Sequence, residues 1–412
     1  MKIGQLAKKF NISVDNIRYY IQIGLIIPEK KQKQFYFGKK SIEEIELILR
    51  LKELHFTLKE IHQILSVRRI SNLVDEQDIM DIINIYESKK VQLHVEKANI
   101  EQVILEIDRE LENISSHKVR EYEKTGVPLN FISYLYCPNC DIPLSLKNVE
   151  MNYRYIFEGD LLCGCGYHAT IKDGIIITKN RSINPYDKPD LERELYKDIP
   201  ASLISLFQRS YNWMLEKLKA LDLKNKIVLE THINAYFFIH NHIKEMEKDA
   251  LYIVIDKFPE MLAMYKRKIE RLNLGSNILY IADNSTSYPI KKGSIDLFID
   301  YFGTNEHCIY NHSYLLSDIK SFFSSQAAVI GTFFYFDPFS ASIRNLCNRY
   351  PEAYRHNFDI KYYKNSLSEA GFIIDDDEAI GYIIDSGDNR AFSFHKEGER
   401  MYLYSFDAKR KV

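Results

Sequence analysis

Tyr136-Cys137-Pro138-Asn139-Cys140 is followed, after about twenty residues, by Cys163-Gly164-Cys165-Gly166. A CxxC and a CxC knuckle at that separation, with glycines beside the second pair, have ligand spacing for a zinc ribbon. Thiolates are soft donors that lose their protons on binding, and four of them close a tetrahedral shell around Zn(2+). With no open position, the metal at Cys137, Cys140, Cys163 and Cys165 is expected to be structural. Four unrelated cysteines and a redox-sensing thiol cluster are the alternatives. Tyr153 to Gly159 reads as a strand between the knuckles, Tyr167 to Thr178 reads as another, and His168 is a spare ligand.

The acids Glu230, Asp256 and Asp283 each end a short apolar run: Ile227 to Glu230, Ala250 to Asp256 and Ile278 to Asp283. Further runs at Ile295 to Asp300 and Ala327 to Phe333 alternate with helical stretches such as Pro259 to Leu272. That alternation predicts a mainly parallel, doubly wound α/β sheet, with ligands at the carboxyl ends of its strands. The three acids read as ligand-facing groups or as ordinary strand-end acids. Later, Asp375-Asp376-Asp377-Glu378 reads as a solvated turn between strands, the alternative being a site for a hard cation.

At the amino end, Ile3, Leu6, Ala7 and Phe10 recur at helical spacing. Asn11-Ile12-Ser13 interrupts them, and Ser13 is a natural N-cap for a second helix carrying Arg18, Tyr19 and Tyr20. Two short helices of this kind make a major-groove reader. Residues 1–70 hold ten Lys and four Arg against one Asp and six Glu, a net +7, whereas the chain as a whole carries -2. A basic head on an acidic body suits contact with phosphates at one end.

The run Arg18-Tyr19-Tyr20-Ile21-Gln22-Ile23-Gly24-Leu25-Ile26-Ile27-Pro28 resembles the MerR family of bacterial transcription regulators, over roughly residues 1–70. The resemblance implies that Ser13, Asn16, Arg18 and Tyr19 face DNA, and that Lys31, Lys33 and Tyr36 contact it from a wing formed by Lys30 to Phe37. Lys31 and Gln34 stand where the family often has Arg and Gly. Gly24 is expected to end its helix in a left-handed cap. Ser41, with Glu44 three residues on, reads as a capping box, and Thr57 as the cap of a fourth helix. Arg68 and Arg69 near its end are expected as further contacts to the DNA backbone. A long helix over 78–116 carries Ile100, Ile104, Ile107, Leu111 and Ile114 at coiled-coil spacing, where the family dimerises.

The α/β portion looks like a class I S-adenosylmethionine-dependent methyltransferase over about residues 222–340. The resemblance implies that Glu230 stands at the acid of the cofactor loop, Asp256 at the ribose and Asp283 beside the adenine. One departure is plain: Thr231-His232-Ile233-Asn234-Ala235-Tyr236 replaces glycines at or near 232, 234 and 236. The cofactor site is therefore remodelled or lost.

Together these readings give a multidomain chain: an all-α winged helix-turn-helix over 1–72, a dimerisation helix over 78–116, a β zinc ribbon over 130–180 and a Rossmann-like methyltransferase domain over 190–412. The expected function is a cytoplasmic, homodimeric regulator of promoter DNA. It would act with RNA polymerase and a small-molecule effector, and without a membrane partner. An active methyltransferase targeted by a DNA-binding head, and a thiol or metal sensor, are the alternatives.

Overall fold

In this computed structural model the described residues are 1–31, 34–71, 73–116, 122–180, 187–192, 194, 197–234, 236–275, 277–388 and 390–411. They form two compact units, Met1–Lys118 and Val119–Val412.

The first unit runs α1 (Ile3–Phe10), α2 (Val14–Gln22), β1 (Glu29–Lys31), β2 (Gln34–Tyr36), α3 (Lys39–Glu53), α4 (Leu58–Ser71) and α5 (Glu76–Ser116). Ser13 caps α2, its hydroxyl oxygen accepting the Asn16 N–H at 3.0 Å. Gly24 leaves the helix at φ +74°, a backbone that a Cβ would strain. Leu6, Ile17, Tyr20, Leu25, Phe37, Ile45, Ile48 and Ile61 close one apolar core. Thr57 and Glu60 exchange hydrogen bonds in a reciprocal cap of α4, as the sequence predicts.

The capping box expected at Ser41 and Glu44 is corrected. Helix α3 starts at Lys39 after Gly38, so Ser41 lies inside it, buried, with its hydroxyl 3.4 Å from the Ile27 carbonyl. Its supposed partner Glu44 is drawn instead to Arg69, which grips both carboxylate oxygens at 2.7 and 3.0 Å. Arg69 also donates to the carbonyls of Gly24 and Leu25, at 3.0 and 2.7 Å. It therefore holds the turn after α2, with four of its N–H bonds directed into the unit.

The second unit continues with β3 (Val127–Pro128), β4 (Ser145–Met151), β5 (Tyr155–Leu162), β6 (His168–Lys172), β7 (Ile175–Ile177), α6 (Ala201–Lys219), β8 (Ile227–Thr231), α7 (Phe238–His242), β9 (Leu251–Asp256), α8 (Pro259–Glu270) and β10 (Ile278–Ala282). It ends with β11 (Ile295–Tyr301), α9 (Gly303–Tyr310), α10 (Leu315–Ile319), β12 (Phe323–Phe336), α11 (Ala341–Arg349), α12 (Ile360–Glu369), β13 (Phe372–Ile383) and β14 (Met401–Arg410). The strands form one twelve-stranded mixed sheet, in the order β13-β14-β12-β11-β8-β9-β10-β7-β6-β5-β3, with β4 also paired to β5. From β12 to β7 neighbouring strands are parallel. Alternate residues of the central strands enter apolar layers on opposite faces: Val228, Val254 and Tyr280 on one, Leu229, Ile255 and Leu279 on the other. The sheet is Rossmann-like, and its order reverses between β8 and β11, the place where such sheets open a crevice.

Tyr167 to Thr178 is two strands rather than one. Asp173 and Gly174 both take positive φ, +47° and +72°, the geometry of a two-residue hairpin turn. The second arm, β7, then pairs parallel with β10, which makes the strands flanking the cysteines part of the same sheet. Nor is Asp375 to Glu378 a turn, since it lies within β13. Lys409, Lys217 and Lys364 pair with Asp375, Asp376 and Asp377 in turn, so those three acids are already matched by cations of the chain itself.

Arg69→Ala should lower the stability of the first unit by about 3 kcal/mol, because it strands a nearly buried carboxylate and two carbonyls. Arg69→Lys, lacking the planar fork, should recover only part of that loss. Chemical unfolding followed by circular dichroism measures both.

Candidate nucleic-acid interface and metal centre

Helix α2 turns Ile17 and Tyr20 into the core and leaves Asn16, Arg18 and Tyr19 outside, Tyr19 being 48% exposed. Arg18 reaches only the exposed Asp15, at 3.2 Å, a surface pair that holds it weakly. Its guanidinium can therefore exchange that partner for a phosphate or a base edge. Ser13 is exposed, but its oxygen is engaged as the cap. Tyr36 is half-buried on β2, which pairs with β1 and forms a bridge to Lys2. Lys31 ends β1, and Lys33 lies outside the described residues.

Beyond α4, the Lys89 ammonium is buried 2.9 Å from Glu60 and 5.6 Å from the Phe56 ring centre, tying α5 to the helix-turn-helix body. Sequence reading passed over Lys89 because a lone lysine in a polar helix carries no pattern. The seam residues Ile100, Ile104, Ile107, Leu111 and Ile114 are each at least half exposed on α5. So large an apolar stripe on one helix calls for cover.

In the second unit the sulfurs of Cys137, Cys140, Cys163 and Cys165 all lie within 4.8 Å of one another. Sγ of Cys137 is 3.5 Å from that of Cys165, and Sγ of Cys140 is 3.3 Å from that of Cys163. These spacings are far too long for disulfides and near the edges of a tetrahedron with Zn–S bonds of about 2.3 Å. The donor set fits a metal ion. The neighbouring Tyr167 N–H holds the Cys165 thiol low, at about 7, whereas burial pushes that of Cys137 up. His168 is committed to Asp160 at 3.1 Å and is not a ligand. The first knuckle is bound to the rest of the unit by the Tyr136 N–H to the Pro289 carbonyl and by a bridge between Leu135 and Ile290.

The strand-end acids are placed together at the switch point, but each is engaged by the chain. Glu230 accepts the N–H groups of Phe238 and Ile239 at 2.6 and 2.8 Å. Asp256 accepts those of Asn234 and Phe258 at 3.0 and 2.9 Å. Asp283 holds the Thr178 hydroxyl at 2.5 Å and the Ser285 N–H at 2.6 Å. Burial pushes the Glu230 carboxyl up to about 8 and that of Asp256 up to about 7. His232, in place of a family glycine, keeps the left-handed backbone at φ +58°, and its ring meets that of His307 edge to face at 5.3 Å. The space among Thr231, His232, Asp256, Lys257, Asp283 and Tyr288 is about 10 Å³, whereas cofactor clefts run to hundreds. These residues do not fit S-adenosylmethionine.

Residues 1–67 match the family described as MerR HTH family regulatory protein. These residues are a MerR-type helix-turn-helix domain. A mercuric resistance operon regulatory protein of Bacillus cereus is 38% identical over 68 residues, 16% of this chain and 52% of that one. A ZntR homolog of Haemophilus influenzae, an HTH-type transcriptional regulator, is 33% identical over 79 residues, 19% of this chain and 58% of that one. The chain spans about half the length of the curated relatives it matches. Among solved structures, a SAM-dependent methyltransferase from Aquifex aeolicus is 16% identical with a TM-score of 0.36, the match covering 54% of this chain and 100% of that one. The MerR-type domain thus accounts for the basic head alone, and the larger unit rests on its own geometry. No helix among the described residues is long and apolar enough to cross a membrane.

The protein should purify with one equivalent of zinc, and Cys137→Ser should release it and lower the melting temperature of the second unit, read by metal analysis and calorimetry. Retention of a full equivalent of zinc would remove the four-thiolate assignment. A pH effect is also expected. Glu230 is protonated more readily folded than unfolded, so its contribution to stability is complete below about pH 4.5 and is lost as the pH rises through about 8. The stability of the wild type relative to Glu230→Gln should fall by about 1.4 kcal/mol per pH unit across that window. Parallel unfolding profiles for the two proteins would contradict this.

Proposed function

We propose that the protein is a dimeric transcription regulator that binds promoter DNA through its MerR-type domain. The observation that carries this reading is the outward face of α2, where Asn16, Arg18 and Tyr19 stand exposed on a helix capped by Ser13. The basic charge of this segment favours the phosphate backbone, and a helix presented in this way reads base edges. Residues 1–72 bind DNA, with Lys31, Lys33 and Tyr36 on the wing. Residues 78–116 supply the dimer contact through the exposed seam of α5, and a two-fold dimer reads two related half-sites. Residues 130–180 hold a structural Zn(2+), and residues 190–412 form a Rossmann-like accessory unit that receives an effector signal. In this reading the protein works in the cytoplasm beside RNA polymerase.

A second reading, metal or thiol sensing at the ribbon, is favoured by the exposure of Cys140 and Cys165. Operator affinity that changes with zinc loading supports it, whereas loss of folding without zinc supports a structural metal.

Arg18→Ala should weaken operator binding at least tenfold, measured by fluorescence anisotropy at fixed salt, and unchanged affinity would sink the assignment of α2. Ile107→Glu, on the α5 seam, should convert the dimer to monomer by analytical ultracentrifugation and lower DNA affinity with it. A dimer that survives the charge would place the interface elsewhere.

A further inference from the structure

The crevice at the carboxyl ends of β8, β9 and β10 contains an ion cluster that no cofactor contact requires. Lys257, directly after Asp256, is buried, with its ammonium 2.5 Å from the Asp187 carboxylate and 3.5 Å from that of Glu306. The same ammonium sits 4.1 Å from the centre of the Tyr310 ring, within cation–π range. Asp187 begins the described segment 187–192, whose first four residues are tied to the loop after β8 a second time. The Asp190 N–H donates to the Asn234 side-chain oxygen at 2.9 Å, and the Asn234 amide donates to the Lys188 carbonyl at 3.4 Å. Asn234 also gives its backbone N–H to Asp256, so one residue joins the strap, the loop and the acid.

The consequence is a closed circuit. A nucleoside in this crevice needs the Asp256 carboxylate for its ribose hydroxyls, but both oxygens already receive main-chain N–H groups. It also needs the volume now filled by the His232 ring and the Lys257 side chain. A buried ammonium between two carboxylates is costly to separate, because withdrawing it leaves uncompensated charge in a dry site. A ligand would have to break that cluster, and would find one acceptor site on each Asp256 oxygen already taken.

We propose that the crevice is occupied by the chain itself: Lys257 and the strap 187–190 stand where a nucleoside cofactor would lie, and the second unit does not bind S-adenosylmethionine. The unit keeps the sheet and the strand-end acids of a cofactor-binding fold, and uses both to fasten its own backbone.

The test uses the full-length, zinc-loaded protein. Titration calorimetry with S-adenosylmethionine and with S-adenosylhomocysteine should show no saturable heat up to millimolar ligand. Saturable binding of either would overturn the proposal. Amide hydrogen exchange read by mass spectrometry should find peptides spanning 187–190 and 232–238 protected, and unchanged by either ligand. Lys257→Met should speed exchange in the 187–190 peptide about tenfold or more. If that variant is poorly folded, Asn234→Ala, which removes the other tie, should give the same local increase. Exchange in the strap that is already fast in the wild type, or unaltered in a folded variant, would show that these contacts do not hold it and would refute the closure.

Discussion

Four carboxylates, Glu230, Asp256, Asp283 and Asp300, terminate four parallel strands and are all buried. A carboxyl group out of water must be supplied with hydrogen-bond partners, and those partners determine the surroundings of the switch point. Glu230 takes the first amides of α7, fixing how the chain leaves β8. Asp300 takes the Thr304 N–H and hydroxyl and the Tyr363 hydroxyl, joining the start of α9 to α12. Asp283 takes Thr178 just beyond β7, so the strand that enters the sheet from the ribbon is clamped beside β10. Asp256 takes Asn234 and so commits the loop after β8. What would be a ligand cradle with these donors withdrawn is instead a set of internal fastenings.

Much of this was legible in the residues. The Ser13 and Thr57 caps, the glycine at the left-handed position after α2 and the 41-residue helix ending at Ser116 follow from local rules that tertiary packing does not override. The central strands were readable from their uninterrupted apolar character, which both-faced burial demands. The four cysteines were readable because metal spacing is a property of the chain. The residues at 232, 234 and 236 already departed from a glycine-rich cofactor loop in the sequence.

The rest was set by partners distant in sequence. Glu44 has the spacing of a capping box, but Arg69 offers it a bidentate, nearly buried mate twenty-five residues away. Asp375 to Asp377 have the composition of a turn, yet three lysines on other elements neutralise them on a strand. Strand β4 is mostly exposed and polar, so alternation gave it no signal. Lys257 and Asp187 are seventy residues apart, and neither is unusual in its own neighbourhood. At position 232 the backbone kept the glycine-like φ while the side chain changed; histidine is among the residues that tolerate that region. Asn234 is a hydrogen-bonding hub that joins residues no local pattern relates.

The three-residue ladder between β7 and β10 also bears on how this chain can be divided. A fragment beginning after residue 180 would look like a complete nucleotide-binding fold by its strand count, yet β10 would be left as a bare edge of apolar backbone. Such edges recruit other strands, and the expected product is an aggregate rather than a smaller folded protein. The β6–β7 hairpin is therefore part of the sheet's own closure, because its loss would expose the edge that it now covers.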